Sequence, residues 1–440
     1  MLTAGFDRSC ISPAPGMPLA GYAAREGVCL GVHDDLFARA LVLEEEGEAL
    51  VLVSVDLLAL SDVFVQRVRQ NIYARTGIPR RGIMVSATHT HAGPVTISTF
   101  FNPGETLDAG YMDHLARVIE DGVVRAWRSR RPARIGVGVT SVDGLGANRR
   151  SVNRRPIDPD VGVIRVEESS GRPMTVVVNY ACHPTVLGPD NLLASGDFPA
   201  FAVARVEAGP GQGARAMFVN GAQGDVSVGH SSELSAIGVI TPGRTFERAE
   251  EIGNRLADAV LATLPSISTT PRASIAARSE PVELAWRQFP PPDQTRATLE
   301  AATERLNHML AGGASPDEVA RARTERLYAS ITHFYGGEAH AAQGPLTIEV
   351  QAFRIDGAAL IAVPAEVFVS IGLRVKRAAP RPILLAGVTN GYIAYLPDSG
   401  AYAVGGYEVV SSKCAEDSEA RLVDGILALQ RRLFDGAATA

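Results

Sequence analysis

Cysteine is scarce and scattered in this chain: Cys10, Cys29, Cys182 and Cys414 are the four in 440 residues. No two of them make a CxxC pair, which excludes a dithiol redox motif or a cysteine zinc knot, and their density is far below that of a disulfide scaffold. They read as ordinary reduced thiols. Long hydrophobic runs are missing as well, since no stretch reaches ~18 uninterrupted apolar residues, the length a membrane-spanning helix needs. The N-terminus, Met1-Leu2-Thr3-Ala4-Gly5-Phe6-Asp7-Arg8, has no basic segment followed by an apolar one, so no secretion signal is visible and a cytoplasmic location is expected. Neither sign of charge dominates: 42 basic residues stand against 48 acidic ones, interspersed without runs, for a net charge of −6. That excludes the electrostatic footprint of a nucleic-acid or anionic-membrane binder. Internal repeats and low-complexity segments are absent too.

What is present is apolar content of 46%, enough for a large buried core in one α/β unit or in two or three domains. Two apolar runs, Ala40–Leu43 and Ala49–Val55, flank Glu44-Glu45-Glu46-Gly47-Glu48 and predict a hairpin. Ser61-Asp62 caps a helix to about Thr76, and Gly77-Ile78-Pro79 stops it before the run Ile83-Met84-Val85, a buried strand. A helix with an apolar stripe fits Tyr111 to Arg128, and His114 within it reads as solvent-facing or structural. Strands fit 133–139, 161–166, 174–180 and 216–219, and a helix fits 246–264. This alternation predicts an α/β fold with mixed sheets packed between helices. Between Pro290 and Gly344 the pattern changes to two amphipathic segments, about 295–310 and 315–334, joined by Ala311-Gly312-Gly313-Ala314. A helical hairpin inserted before the sheet resumes is expected, with His308, His333 and His340 as polar positions on it. Strands at 346–355 and 358–363 follow, then helices from about Glu366 to Ala378 and from Glu416 to Phe434.

Histidine is rare, nine in all, and two lie in Thr88-His89-Thr90-His91-Ala92-Gly93-Pro94, directly after the strand at Ile83. Side chains alternate along an extended chain, so His89 and His91 are expected to leave the sheet on one face at its edge, where neutral imidazoles suit a zinc ion. Val176 to Tyr180 delivers His183 in the same way, with Pro184 enforcing the exit. Tetrahedral zinc needs about four donors. Glu366, after a strand and Pro364, is a third candidate, although acidic residues also favour first helical turns for dipole reasons. Asn220-Gly221-Ala222-Gln223-Gly224-Asp225-Val226-Ser227 is a glycine-rich loop with amides free for an anion, or a simple turn. The stretch from Asn390 to Glu408 gathers Tyr392, Tyr395, Tyr402 and Tyr407, a tyrosine cluster in a chain of ten.

Taken together and in order, Thr88–Pro94, Cys182-His183-Pro184, Gly224-Asp225-Val226-Ser227, Pro364-Ala365-Glu366 and the tyrosine stretch resemble the neutral, non-lysosomal ceramidase family. Gly21-Tyr22-Ala23 and the segment from His33 to Ala40 extend the resemblance over nearly the whole chain. The resemblance implies a single ceramidase-like catalytic domain over 1–440, with the 290–344 hairpin inside it and without the C-terminal immunoglobulin-like domain of larger members. It implies a zinc-dependent amidohydrolase that cleaves the linear amide of an N-acyl amine by attack of zinc-bound water. Its roles, carried over by position, make His89, His183, Glu366 and Tyr395 zinc ligands, place His91 and Arg149 against substrate and proton transfer, set Tyr407 beside the scissile carbonyl, and match Ser227 to a serine sometimes assigned as nucleophile. Val228 stands where the family commonly has proline, and Ala365 where it often has glycine. The expected partner is a small-molecule N-acyl amine, either ceramide-like or smaller and more soluble. Two other readings stay open: Ser227 as a covalent nucleophile activated by a nearby histidine, and a zinc- or lipid-binding member without catalysis.

Overall fold

The strands that read as unbroken apolar runs are covered on both faces. In Glu48–Val55, Leu50 and Leu52 face one buried cluster while Val51, Val53 and Val55 face another. In Pro173–Tyr180, Val177 faces one way and Val176, Val178 and Tyr180 the other. Such runs mark inner layers, because a sheet with one wet face would alternate polar and apolar residues.

The computed structural model describes residues 1–100, 107–150, 156–209 and 213–435. Its larger sheet has eight strands: β1 (Thr3–Cys10), β2 (Phe37–Glu45), β3 (Glu48–Val55), β4 (Ile83–Ala87), β5 (Arg131–Ser141), β6 (Asp160–Glu168), β7 (Pro173–Tyr180) and β8 (Arg215–Asn220), in the spatial order β8-β7-β6-β5-β1-β2-β3-β4. The middle is antiparallel, and the two end pairs, β3 with β4 and β7 with β8, are parallel. A second, four-stranded sheet runs β9 (Ile275–Leu284), β10 (Leu346–Ile355), β11 (Ala358–Ala362) and β12 (Ile383–Ala386), with β11 and β12 parallel. The sheets pack face to face through Leu52, Met84, Ile164, Val177, Phe353 and Leu360.

Helices close the outer faces. Helix α1 (Asp62–Thr76) covers the β3–β4 end, α2 (Ala109–Arg128) lies beside it across β1 and β2, and α3 (Asp197–Glu207) and α4 (Phe246–Thr263) cover the β7–β8 end. On the smaller sheet lie α6 (Pro316–Ala341), α7 (Val369–Ala378) and α8 (Ser418–Asp435), and α5 (Pro292–Ala311) packs against α6. The fold is therefore α/β, with mixed sheets between helices. Helices α5 and α6 form the expected hairpin between β9 and β10, which pair directly with each other. No described helix is long and apolar enough to cross a membrane.

The larger sheet curls until its ends meet. Ser54 Oγ donates to the Phe218 carbonyl at 2.6 Å, and Asn220 Nδ2 donates to the Thr88 carbonyl at 3.2 Å. The chain leaving β12 threads this seam: Gly387 N donates to the Asn220 carbonyl, and Ala87 N donates to the Val388 carbonyl. The carboxyl ends of β4, β7, β8, β11 and β12 thus converge, and a ligand site is expected where parallel strands end.

Two local expectations are corrected. Strand β4 stops at Ala87, and His89 takes a left-handed conformation, φ 70°. His89 and His91 therefore do not share a face by strand alternation; a turn directs their rings edge-to-face, with centroids 5.0 Å apart. Glu366 does not begin a helix. Glu366–Val367 pairs in parallel with Tyr395–Leu396, and α7 starts at Val369. Buried histidines face the carboxylate, which explains an acid at this position better than a helix dipole does. His114 is exposed, as expected. Strands β1 and β9 and helix α3 were not anticipated.

Candidate functional site

Each histidine of the site is held at Nδ1 by a backbone carbonyl and turns Nε2 inward. His89 Nδ1 meets the Leu58 carbonyl at 2.7 Å, His91 Nδ1 the Gly21 carbonyl at 3.0 Å, and His183 Nδ1 the Gln223 carbonyl at 2.7 Å. A carbonyl only accepts, so each contact fixes the proton on Nδ1 and leaves the Nε2 lone pair facing inward. One nitrogen from each of the three rings lies within 4.8 Å of the others, and this is the one such group of metal-capable side chains among the described residues. The Nε2 atoms of His89 and His91 are buried without a hydrogen-bond partner.

Glu366 completes the cluster. Its Oε2 lies 2.8 Å from His183 Nε2 and 3.4 Å from His89 Nε2, and both rings and the carboxylate are buried. His183 therefore faces an acceptor at each nitrogen, yet a neutral imidazole carries one N–H. A cation between Nε2 and the carboxylate resolves this conflict, and a nitrogen–oxygen donor set suits zinc. Burial, followed by the Arg149 charge, pushes the His183 pKa down to about 4, against a pull from Glu366. Burial and the neighbouring His89 and His183 hold His91 well below its ordinary value. Burial alone would raise Glu366, but the facing histidines keep its carboxyl well below the usual range. Neutral His91 and His183 beside an ionised Glu366 are in the protonation states metal ligation requires.

The remaining residues expected at the site stand around this core. The Tyr395 ring stacks against His183 with centroids 6.4 Å apart, and its hydroxyl receives a hydrogen bond from Arg149 Nη2 at 3.0 Å. Arg149 is held further by the Gly224 carbonyl at 2.9 Å and by Glu408 Oε1 at 2.8 Å. Tyr407 lies edge-on to Tyr395, 6.0 Å between centroids, and burial raises its hydroxyl pKa, so it stays a donor. Ser227 is buried beside His183, bridging it through the backbone, and its hydroxyl donates to the His230 carbonyl at 2.8 Å. A small cavity opens onto His91, Arg149, Tyr395 and Tyr407, walled on its far side by His230 and Ser232.

Three contributors had no assigned role in the sequence. Tyr392 donates to Glu366 Oε1 at 2.5 Å and so fixes the carboxylate from behind. Glu408 joins Arg149, Arg150 and Ser232 in one buried network. His230 lines the cavity with Nδ1 on the Thr241 hydroxyl at 2.8 Å. The clue to Tyr392 was its place in the tyrosine stretch; that of His230 was its nearness to Ser227 in the chain.

Two glycines permit the arrangement. Gly21, at φ 104°, lies so close to His91 that a Cβ there would sit 2.6 Å from the ring. Gly224 passes Glu366 so tightly that a Cβ would meet its carbonyl oxygen at 2.5 Å.

Residues 8–330 match the family described as neutral/alkaline non-lysosomal ceramidase, N-terminal. The chain is 25% identical to a neutral ceramidase of Pseudomonas aeruginosa over 94% of its own length and 70% of that protein's. It is 26% identical to a neutral ceramidase of Mycobacterium tuberculosis, over 95% of this chain and 75% of that one. Among solved structures, the crystal structure of neutral ceramidase from Pseudomonas aeruginosa superposes with a TM-score of 0.75 at 21% identity, covering 98% of this chain and 75% of that one. A ceramidase complexed with C2 gives a TM-score of 0.73 at 20% identity, with 98% and 76% covered. Both structures share this fold.

Proposed function

This chain belongs to the neutral/alkaline non-lysosomal ceramidase family, and from that premise we propose that it is a zinc-dependent hydrolase of a linear amide in an N-acyl amine, ceramide-like or smaller and more soluble. The observation that carries the reading is the convergence of inward-facing Nε2 atoms, each fixed by an Nδ1 contact to a carbonyl, on the Glu366 carboxylate.

His89, His183 and Glu366, with Tyr395 beside them, would hold the metal. Zinc bound there would supply a Lewis acid that polarises the amide carbonyl and lowers the pKa of water towards about 7. His91, neutral because it is buried and anchored at Nδ1, takes a proton from the attacking water at Nε2 and delivers it to the departing nitrogen. Arg149, already fixed by Glu408 and Gly224, and the Tyr407 hydroxyl donate to the oxygen that gains charge. A well-placed donor of this kind contributes roughly 3 kcal/mol to lowering the barrier. Ser227, bonded to a backbone carbonyl, is given a positioning role: it braces the loop that receives His183 Nδ1.

The test is amide cleavage by the purified chain across N-acyl amines from short polar acyl groups to ceramide. Cleavage abolished by a chelator and restored by zinc supports the reading. Cleavage that survives the chelator and labels Ser227 with an acyl group overturns it in favour of a serine nucleophile.

A further inference from the structure

The small cavity in front of Arg149 and Tyr407 continues beneath the α5–α6 hairpin. Ala236 lines both it and a larger cavity of about 670 Å³, and the Phe100 ring on the larger cavity's wall lies 6.5 Å from that of Tyr407. The wall near the site is apolar: Ile237 and Leu327 are buried there in one cluster with Tyr407, and Leu306 is a further buried lining residue. Farther out, Ile240 and Leu310 remain 49% and 52% exposed in the same cavity. Exposed aliphatic side chains lining a cavity suit a hydrocarbon chain.

Charge is placed at one end of this apolar path. Arg323 and Arg326 of α6 face the cavity, three residues apart and therefore neighbours on the helix. Arg323 makes one long contact, 3.4 Å to the Ile237 carbonyl, and Arg326 has no hydrogen-bond or ion-pair partner among the described residues. Elsewhere on the hairpin, by contrast, Arg305 is paired with Glu325 at 3.0 Å. The cavity also holds Glu26, Asp190 and Arg25. Asp190 offsets the charge of Arg25, whose guanidinium is otherwise bonded to the carbonyls of Ala20, His91 and Asn191. That leaves two arginines against Glu26, an excess of positive charge. Leu327, one helical turn or about 5.4 Å beyond Arg323, shares a buried cluster with Tyr407. Arg323 and Arg326 are exposed, whereas Ile237 and Leu327 are buried with Tyr407, so the apolar part lies on the buried side of the cavity and the arginines on its solvent side.

We propose that this cavity takes one hydrocarbon arm of the substrate and that Arg323 and Arg326 bind a carboxylate carried at its outer end. The substrate class is then an N-acyl amine with an anionic terminus, which rests on the amide-hydrolase reading above. Two guanidiniums on adjacent turns can share one carboxylate, and the Phe100–Leu327 wall excludes water from the arm between.

The experiment is calorimetric titration of the full chain at low ionic strength with 10-hydroxydecanoate and with 1-decanol, for the wild type and for the double variant Arg323→Gln/Arg326→Gln. The wild type is expected to bind the carboxylate probe about tenfold more tightly, the gain available from one anion shared by two exposed arginines at low ionic strength. The double variant is expected to lose that preference and keep its affinity for decanol. Equal binding of the two probes by the wild type overturns the proposal, and so does a preference that survives in the double variant, the sign of a carboxylate captured at the metal centre. Because binding is read without turnover, equal binding of the two probes by a wild type that cleaves amides sinks the anion site alone. A carboxylate preference in the wild type that the double variant loses, without cleavage of any amide, sinks the hydrolase reading alone.

Discussion

His183 presents Nε2 to the Glu366 carboxylate at 2.8 Å while its Nδ1 rests 2.7 Å from the Gln223 carbonyl, so one imidazole is asked for two protons in a fully buried setting. The pair joins the end of β7 to the end of β11, across 183 residues of sequence. Its chemistry is that of two ligands turned towards one cation, and most of the expectations below descend from it.

Tyr392→Phe removes the 2.5 Å hydrogen bond to Glu366 Oε1 and little else, because the ring stays packed. Such supporting contacts typically change metal affinity about 10–100-fold. Zinc affinity measured by competition with a chelating dye is expected to fall within that range, with an unchanged circular dichroism spectrum. Unchanged affinity would show that Glu366 needs no support from Tyr392.

Gly21→Ala places a methyl 2.6 Å from the His91 ring, at φ 104° where a side chain is also strained. The ring must move off the Gly21 carbonyl. Misplacing a proton carrier by about 1 Å costs on the order of a hundredfold in rate. The expected result is that fall in kcat with zinc content retained, read by steady-state kinetics and metal analysis on one preparation.

Ser227→Ala separates the two hydrolytic mechanisms. The hydroxyl donates to the His230 carbonyl, so its loss is expected to lower stability by about 1 kcal/mol. Activity is expected to remain within an order of magnitude, whereas removing a serine nucleophile costs on the order of a millionfold. Rate and denaturation midpoint of the variant decide between them.

Acid should weaken the fold from a known direction. Burial and Arg149 lower His183 from 6.5 to about 4, and burial with Arg244 lowers His230 likewise to about 4. The unfolded chain therefore binds more protons than the folded one between those values, and stability rises with pH across that window. Stability present above about 6.5 is lost as pH falls towards 4. Thermal melts at stepped pH should show the midpoint dropping in that window; a midpoint flat from pH 7 to 4.5 would contradict it.

The sequence made the inner layers legible because strands buried on both faces leave continuous apolar runs, as at Ala49–Val55 and Val176–Tyr180. It also made the loop histidines legible, since rare His89 and His183 follow such runs directly. Strand β1 was hidden by the polar run Asp7-Arg8-Ser9 in its second half, and β9 by Arg278, Glu280 and Glu283, which interrupt a strand whose buried face changes from Ile275 and Ala277 to Val282 and Leu284. Helix α3 was hidden by Pro199 within its first turn. Arg149 and Tyr407 were reached through family resemblance, as no local pattern announces a pocket donor. The Tyr392–Glu366 contact was out of reach, because a hydrogen bond between a loop and a two-residue strand far apart in the chain leaves no periodic trace. The left-handed backbone at His89 was equally invisible, being imposed by its contacts with Leu57 and Leu58.

Metal content is the most direct test of the centre. Mass-spectrometric metal analysis of the purified chain, with His183→Ala and Glu366→Gln beside it, should find one zinc per wild-type chain and a substoichiometric amount in each variant, with amide cleavage lost in step. A folded wild-type chain that cleaves amides while holding no stoichiometric metal would contradict a zinc site built from His89, His183 and Glu366.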